Sequence, residues 1–494
     1  MKNNSIKLNF IMNVFLTMSS FIFPLITFPY ISRILLPEGT GKVNFATSYI
    51  SYFTMFAQLG IPTYGIRACA MVRDDRRKLT KTAHELFLIN LFMSIISYVV
   101  FFILLFCVPK LREDRTLYLI VSANILLTAI GMEWLYKALE QYSYITIRSV
   151  AFKFVALIAM FLLVHQKSDY VIYGAISLFA ASASNIMNLI NVHKYIDLKP
   201  LSHYDFKPHL KAVGIFFAMS CATTIYLHLD TIMLKFMTTD TDVGYYSAAT
   251  KIKMILVSVV TSLGAVLLPR VSYYVKQNKM EEFHRITVKA LNFVFLSALP
   301  LTIYFIMFAR EGIYFLSGKE YEGAIIPMQV IMPTLLIIGV TNILGLQILV
   351  PMGMEKYVLY SEIAGAITDL ILNALLIPSL KSTGASIGTL AAEIAVLIVQ
   401  YAVLHKTVNS AFKVIKYYKL GIASLGGTLS SVWVLYCQIG SFWKLFISAC
   451  IFFGVYGVLL MLLKETLVRE IADQVFMKHF KRRMYEQKKD NRRV

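Results

Sequence analysis

Charge is scarce in this chain. Of its 494 residues 15% are Asp, Glu, Lys or Arg and 57% are hydrophobic, whereas a soluble domain carries about 25% charged residues. Too little polar surface exists to cover a water-soluble body. Acid is scarcer than base: 28 Asp and Glu stand against 48 Lys and Arg, for a net charge of +20. The cations lie in short loops and in the C-terminal tail rather than on one compact face, which excludes nucleic acid as the partner they serve. Cysteine is limited to Cys69, Cys107, Cys221, Cys437 and Cys450, an odd number without metal-ligand spacing, each in or beside an apolar run. They read as reduced packing residues, and no metal centre is expected. Long linkers are missing, as are nucleotide-binding loops and metal motifs. The apolar stretch reaching about Leu35 outruns the roughly 7 to 15 residue core of a signal peptide and has no small-residue cleavage site, so it is expected to remain as the first span.

What fills the chain instead is apolar runs of membrane length. With roughly twenty residues needed to cross the hydrocarbon at 1.5 Å rise each, the sequence predicts an all-α integral membrane protein of about fourteen spans. These lie near residues 9–35, 42–66, 84–108, 117–138, 149–165, 171–192, 212–236, 244–268, 286–309, 324–350, 357–378, 384–405, 418–438 and 443–463. An even number puts both ends on one side. The basic clusters Arg67 to Lys81, Lys194 to Lys211, Arg270 to Arg285 and Lys406 to Lys419 fall in loops of the same parity as the N-terminus, as does the tail from Lys478 to Arg493. The opposite loops, such as Pro109 to Thr116 and Ser379 to Thr383, are short and carry few cations, so both termini are expected in the cytoplasm.

A basic loop from His193 to Lys211, with Pro200 and Pro208, separates two sets of spans. The expected organisation is a first six-span lobe over residues 1–200, a second over 201–417, an added helix pair over 418–463 and a basic tail over 464–494, the plan of transporters built from repeats. Laying Gly41 on Gly244 also lays Ala46 on Ala249, Thr47 on Thr250 and Arg67 on Arg270. Each half thus opens with a span, a tight outer turn and a second span ending in arginine. Pro24 and Pro29 interrupt the hydrogen-bond ladder of the first span, either as hinges or as static kinks.

The run from Pro29 to Gly41, PYISRILLPEGTG, resembles the first outer turn of polysaccharide-repeat-unit flippases, the Wzx-type branch of the multidrug/oligosaccharidyl-lipid/polysaccharide exporter superfamily. Similar in the same way are Glu133-Trp134-Leu135-Tyr136, the stretch Val243 to Ile252, and Leu372-Asn373 through Ile377-Pro378 to Gly384-Ala385. Leu36 departs from the pattern, since the family usually has glycine before Pro37. The resemblance implies a MATE-like fold of fourteen helices in two lobes around an alternately opening cavity, in a bacterial inner membrane. Its implied task is to move an undecaprenyl-diphosphate-linked oligosaccharide to the outer leaflet, possible partners being the polysaccharide polymerase machinery and the bilayer itself. No cofactor is implied beyond Na+ or H+ as coupling ion. Independently, a glycan and its diphosphate cannot cross hydrocarbon bare, so the protein must supply a polar path.

A diphosphate calls for cations within the spans. Lys251 and Lys253 lie about two turns into the eighth span; Lys251 is on the more polar stripe and is the better cavity candidate, with interfacial snorkelling as the alternative for both. Arg33 flanks the first outer turn and Lys153 lies about one turn into the fifth span, each a substrate contact or a headgroup anchor. Glu133 and Lys137 are spaced to pair with each other. Among polar residues within the spans, Asp230, Asn373 and Thr389 share one depth and Asp369 and Glu393 a deeper one, an acid, amide and hydroxyl set suited to a monovalent cation or a proton. The alternative pairs Asp230 with Lys251 and holds Asp369 by interhelical bonds. Competing functions are flipping of a peptidoglycan lipid precursor and MATE-type cation-coupled drug export. An intramembrane polymerase or glycosyltransferase fits poorly, because the outer loops are short.

Overall fold

The computed structural model describes residues 6–201 and 203–470, and the basic residues from Lys478 onward lie outside them. Among the described residues every regular element is helical. The α-helices are α1 (Ile6–Gln58), α2 (Ile61–Met71), α3 (Arg76–Cys107), α4 (Pro109–Arg112), α5 (Arg115–Gly131), α6 (Glu133–Ala138), α7 (Tyr142–Leu163), α8 (Tyr170–Leu178) and α9 (Ser184–Asn191). They continue with α10 (Lys207–Met237), α11 (Asp240–Lys276), α12 (Met280–Met307), α13 (Ala309–Leu316), α14 (Ile325–Ile331), α15 (Thr334–Asn342), α16 (Glu355–Val414), α17 (Tyr417–Ser431) and α18 (Ser441–Leu462).

Helix α3 shows why these elements belong in lipid. Asp75 caps it, accepting from the amides of Arg77 and Lys78 at 3.0 and 3.1 Å, and the Lys78 amide holds its carboxyl below the usual carboxylate range. Further along, Asn90, Ser94 and Ser97 are buried while Ile95, Val99, Ile103 and Phe106 are exposed. The polar stripe faces protein and the apolar stripe faces out, the reverse of a soluble amphipathic helix.

Among the described residues ten helices are long and apolar enough to cross a membrane, or eleven with the bent pair Lys319–Ile331 and Thr334–Leu349 taken as one. Two of the ten, Ile11–Met71 and Glu355–Val414, run 61 and 60 residues. A straight helix of that length would measure about 90 Å, some three times the hydrocarbon thickness. Both reverse instead. In α16 the break falls at Lys381 (φ 52°, ψ −130°), and Asn373 and Thr389, on either side of it, bond the same carboxylate of Asp230. In α1 it falls at Leu36 (φ 59°, ψ 179°). The half before it runs parallel to α7, since Met12 meets Thr146, Ser19 meets Lys153 and Val164 meets Tyr30. The half after it runs parallel to α5, with Phe45 on Tyr118 and Thr54 on Asn124, and α5 is antiparallel to α7, its far end joining Arg148 through Glu133. Counting each long helix as two spans, and α17 with its 3-10 extension Val432–Tyr436 as one more, reproduces the fourteen expected from the sequence.

The chain packs into two compact units. The first takes the described chain up to Thr250 together with residues 316–327 and 365–392; the second takes the rest. In the first, α1 packs on α3, α5, α7 and α10, and Ile61, Leu79, Leu86, Trp134 and Leu135 form one apolar core. The basic loop after α9 belongs to this unit, where Arg76 bonds Asp197 at 2.9 Å and His84 bonds the Asp197 carbonyl at 2.8 Å. In the second, α12 packs on α15 and α17, and α17 on α18, around Tyr304, Phe308 and Phe452.

Candidate functional site

Two polar constellations lie within the spans of the first unit. The first is centred on Asp230, which is 5% exposed near the end of α10. Asn373 Nδ2 donates to its Oδ1 at 2.6 Å, Thr389 Oγ1 donates to Oδ2 at 3.0 Å, and the Tyr246 phenol donates to Oδ2 as well. Tyr246 and Thr389 are 2.9 Å apart. The depth layer read from the sequence therefore meets in space. Asp230 is held there by neutral donors, which satisfy a buried carboxylate without a counter-cation.

Asp369 is buried one turn before Asn373. Gly388 faces both: a Cβ there would overlap Asn373 Oδ1 and lie 2.9 Å from Asp369 Oδ1. Only a residue without a side chain lets the two limbs of the α16 hairpin approach this closely. Glu393 is buried one turn beyond Thr389 and falls in the second unit, as do Lys251 and Lys253, both half-buried on α11.

Tyr246 received no role from the sequence. It lies about as far into α11 as Asp230 lies from the end of α10, but the start expected for the eighth span at residue 244 put it too near the span end to join the Asp230 layer.

The second constellation is a cavity of about 500 Å³ between α1, α7 and the helix that follows. Its walls are mainly apolar, from Leu16, Phe23, Ile145, Leu157, Met160 and Ile176, with Lys153, Glu133, Ser149 and Ser177 among them. Lys153 Nζ donates to Ser19 and Ser20 Oγ, both at 3.0 Å. Glu133 pairs with Lys137 at 2.8 Å, as its spacing predicted, and also with Arg148 at 3.2 Å. Arg148 is further tied to the Ser184 carbonyl at 2.9 Å. Lys153, not Arg148, is thus the cation offered to the cavity. Arg33 is exposed and its guanidinium turns back onto the Pro29 carbonyl.

Beside the turn at Leu36 an ionic cluster appears that sequence reasoning did not foresee. Lys235, 2% exposed, pairs with Asp240 at 2.6 Å and approaches Asp114 to 3.9 Å. Lys42 reaches Asp114 and Glu38, each at 3.4 Å, and lies 4.9 Å from the Tyr170 ring centre. Beside it α1 and α11 cross at backbone contact: a Cβ on Gly41 would overlap the Asp240 carbonyl, and one on Gly244 would overlap that of Pro37. These are the two glycines that the internal comparison superposed.

Among known proteins, the family model described as "Polysaccharide biosynthesis protein" matches residues 6–275, and the MatE model matches residues 216–375. A putative O-antigen transporter of Escherichia coli (strain K12) is 25% identical over 377 residues, covering 76% of this chain and 91% of the relative. A putative O-antigen transporter of Shigella dysenteriae is 25% identical over 363 residues, covering 72% and 88%. The solved structure of the lipid II flippase MurJ in its inward closed conformation superposes with a TM-score of 0.71 at 17% identity, over 93% of this chain and 100% of that one.

Proposed function

The chain belongs to the polysaccharide biosynthesis protein family, and from that premise we propose that it is a flippase carrying polyprenyl-diphosphate-linked oligosaccharide units across the bacterial cytoplasmic membrane. The observation that carries this reading is the intramembrane cavity with Lys153 in an otherwise largely apolar wall. A lipid diphosphate presents a dianionic group next to an apolar chain, and a cavity with Lys153, several hydroxyls and apolar walls, its carboxylate Glu133 paired with Lys137 and Arg148, complements that junction. The names of the curated relatives favour an O-antigen-type unit as cargo. Both termini face the cytoplasm in this reading, because the cation-rich loops share their side, and the delivered units pass to a polymerase outside.

Coupling to Na+ or H+ is assigned to Asp230, Asp369, Asn373 and Thr389, with Glu393 deeper on the same helix. Lys251 and Lys253 supply further cations along the path, and Arg33 stands at its outer end. The MatE match over residues 216–375 covers Asp230, Asp369 and Asn373 and supports a cation-linked role for that stretch.

Deleting the gene should leave lipid-linked repeat units accumulating on the cytoplasmic leaflet, and Lys153→Gln should restore export more than tenfold less well than the wild-type gene while reaching the membrane in equal amount. If repeat units still reach the outer leaflet in the deletion strain, the reading falls. Rescue instead of cells depleted of their peptidoglycan-precursor flippase would transfer the assignment to that substrate.

A further inference from the structure

A second pocket, of about 360 Å³, lies wholly within the second unit. Three chain segments form it: one face of the first turns of α12, the break between α16 and α17, and the residues that follow α18. Its cations are Arg285, Lys289, Lys416 and Lys419, and its acids are Glu465 and Glu470.

The acids are already engaged. Glu470 pairs with Lys289 at 2.6 Å, while Glu465 accepts from Asn292 at 2.8 Å and from the Val468 amide at 2.8 Å. Lys419 is buried and donates to the Lys464 carbonyl at 2.9 Å. Arg285 and Lys416 are exposed at the pocket rim, and Glu282, with which Arg285 pairs among the described residues, lies on the same helix outside the pocket. Positive charge therefore exceeds negative inside the pocket after every internal pair is formed. The remaining wall is apolar, from Val288, Val414, Ile415 and Leu467.

The level in the membrane is marked by Tyr417 and Tyr418, both exposed directly beside Lys416, where an aromatic pair sits at the headgroup boundary. All three segments are span ends of the cation-rich side. On the orientation proposed above this is the inner leaflet, whose surface is anionic.

We propose that this pocket binds the phosphate headgroup of an anionic membrane lipid. Arg285 and Lys416 contact the phosphate, and Val288, Val414 and Leu467 take the first carbons of the acyl chains. A cationic rim over an apolar floor at headgroup depth matches an amphiphile; a free anion would leave the apolar half of the lining without a partner.

The test uses the full-length protein in detergent, titrated with phosphatidylglycerol or with phosphatidylcholine of the same acyl chains and read by native mass spectrometry. Phosphatidylglycerol should be retained in preference, and the double variant Arg285→Gln/Lys416→Gln should lower its retention about tenfold. Both side chains are exposed, so the fold should be kept; the double variant Arg77→Gln/Lys78→Gln, on another exposed basic turn, should leave retention unchanged. A photo-reactive residue at position 467 should yield a lipid adduct. Equal retention of the two lipids, equal loss in the control variant, displacement by millimolar inorganic phosphate, or crosslinking to the chain's own C-terminal tail would each overturn the proposal.

Discussion

Leu36 adopts a left-handed φ of 59°, a conformation that costs a residue with a Cβ about 1 kcal/mol or more relative to glycine. The family pattern that the run from Pro29 to Gly41 resembles usually has glycine here, so the sequence departure and the backbone strain coincide. Leu36→Gly should raise the thermal midpoint of the detergent-purified protein by the equivalent of about 1 kcal/mol; an unchanged or lower midpoint would show that the Leu36 side chain compensates. Around Asp230 each donor is separately testable. Thr389→Val and Tyr246→Phe each leave a buried carboxylate short of one hydrogen bond and should each cost about 1 to 3 kcal/mol in unfolding measurements. Asp230→Asn and Asp369→Asn should abolish the sodium and pH dependence of flipping; retention of both dependences would refute the coupling role. The sequence located this group because depth from a span end translates directly into height in the bilayer. It did not yield Lys235, whose partners Asp114 and Asp240 depend on which helices are neighbours, a matter of packing rather than of height.

Two elements are longer than any bilayer, and each turns back without leaving a polar loop behind. The span count was legible because apolar length is conserved across such a turn, whereas the continuity of α1 and α16 as helices up to one aberrant residue was not. Pro24 and Pro29 lie inside the first limb of α1, where Pro24 lines the Lys153 cavity. The crossing of α1 and α11 at Gly41 and Gly244 admits no side chain on either residue. Gly41→Ala and Gly244→Ala should each reduce folded yield and export severalfold, while Gly454→Ala on α18, whose Cβ would meet nothing within 4 Å, should raise helix stability by up to about 1 kcal/mol. Wild-type behaviour of both crossing variants would mean the helices separate at no cost there.

Across the whole chain the distribution of cations sets a topology that labelling can check. Single cysteines at Arg73 and Lys199, in a background without the five native thiols, should react with an impermeant reagent only from the cytoplasmic side, and cysteines at Arg112 and Ser168 only from outside. The opposite pattern would invert the orientation. The all-helical fold and its family were both legible, since composition demands spans and the outer-turn motif is local in sequence. The basic pocket of the second unit was not, because its walls come from three separate segments, within residues 284–292, 414–419 and 465–470. The hairpin at Leu36 has one more consequence, for biogenesis. It is the first change of direction among the described residues, and it is made without a loop between the two limbs. A ribosome-bound chain that threaded this stretch as a single long stem would insert each succeeding segment upside down, so the turn at Leu36 and the charges beside it bear on the handedness with which the later spans enter the membrane.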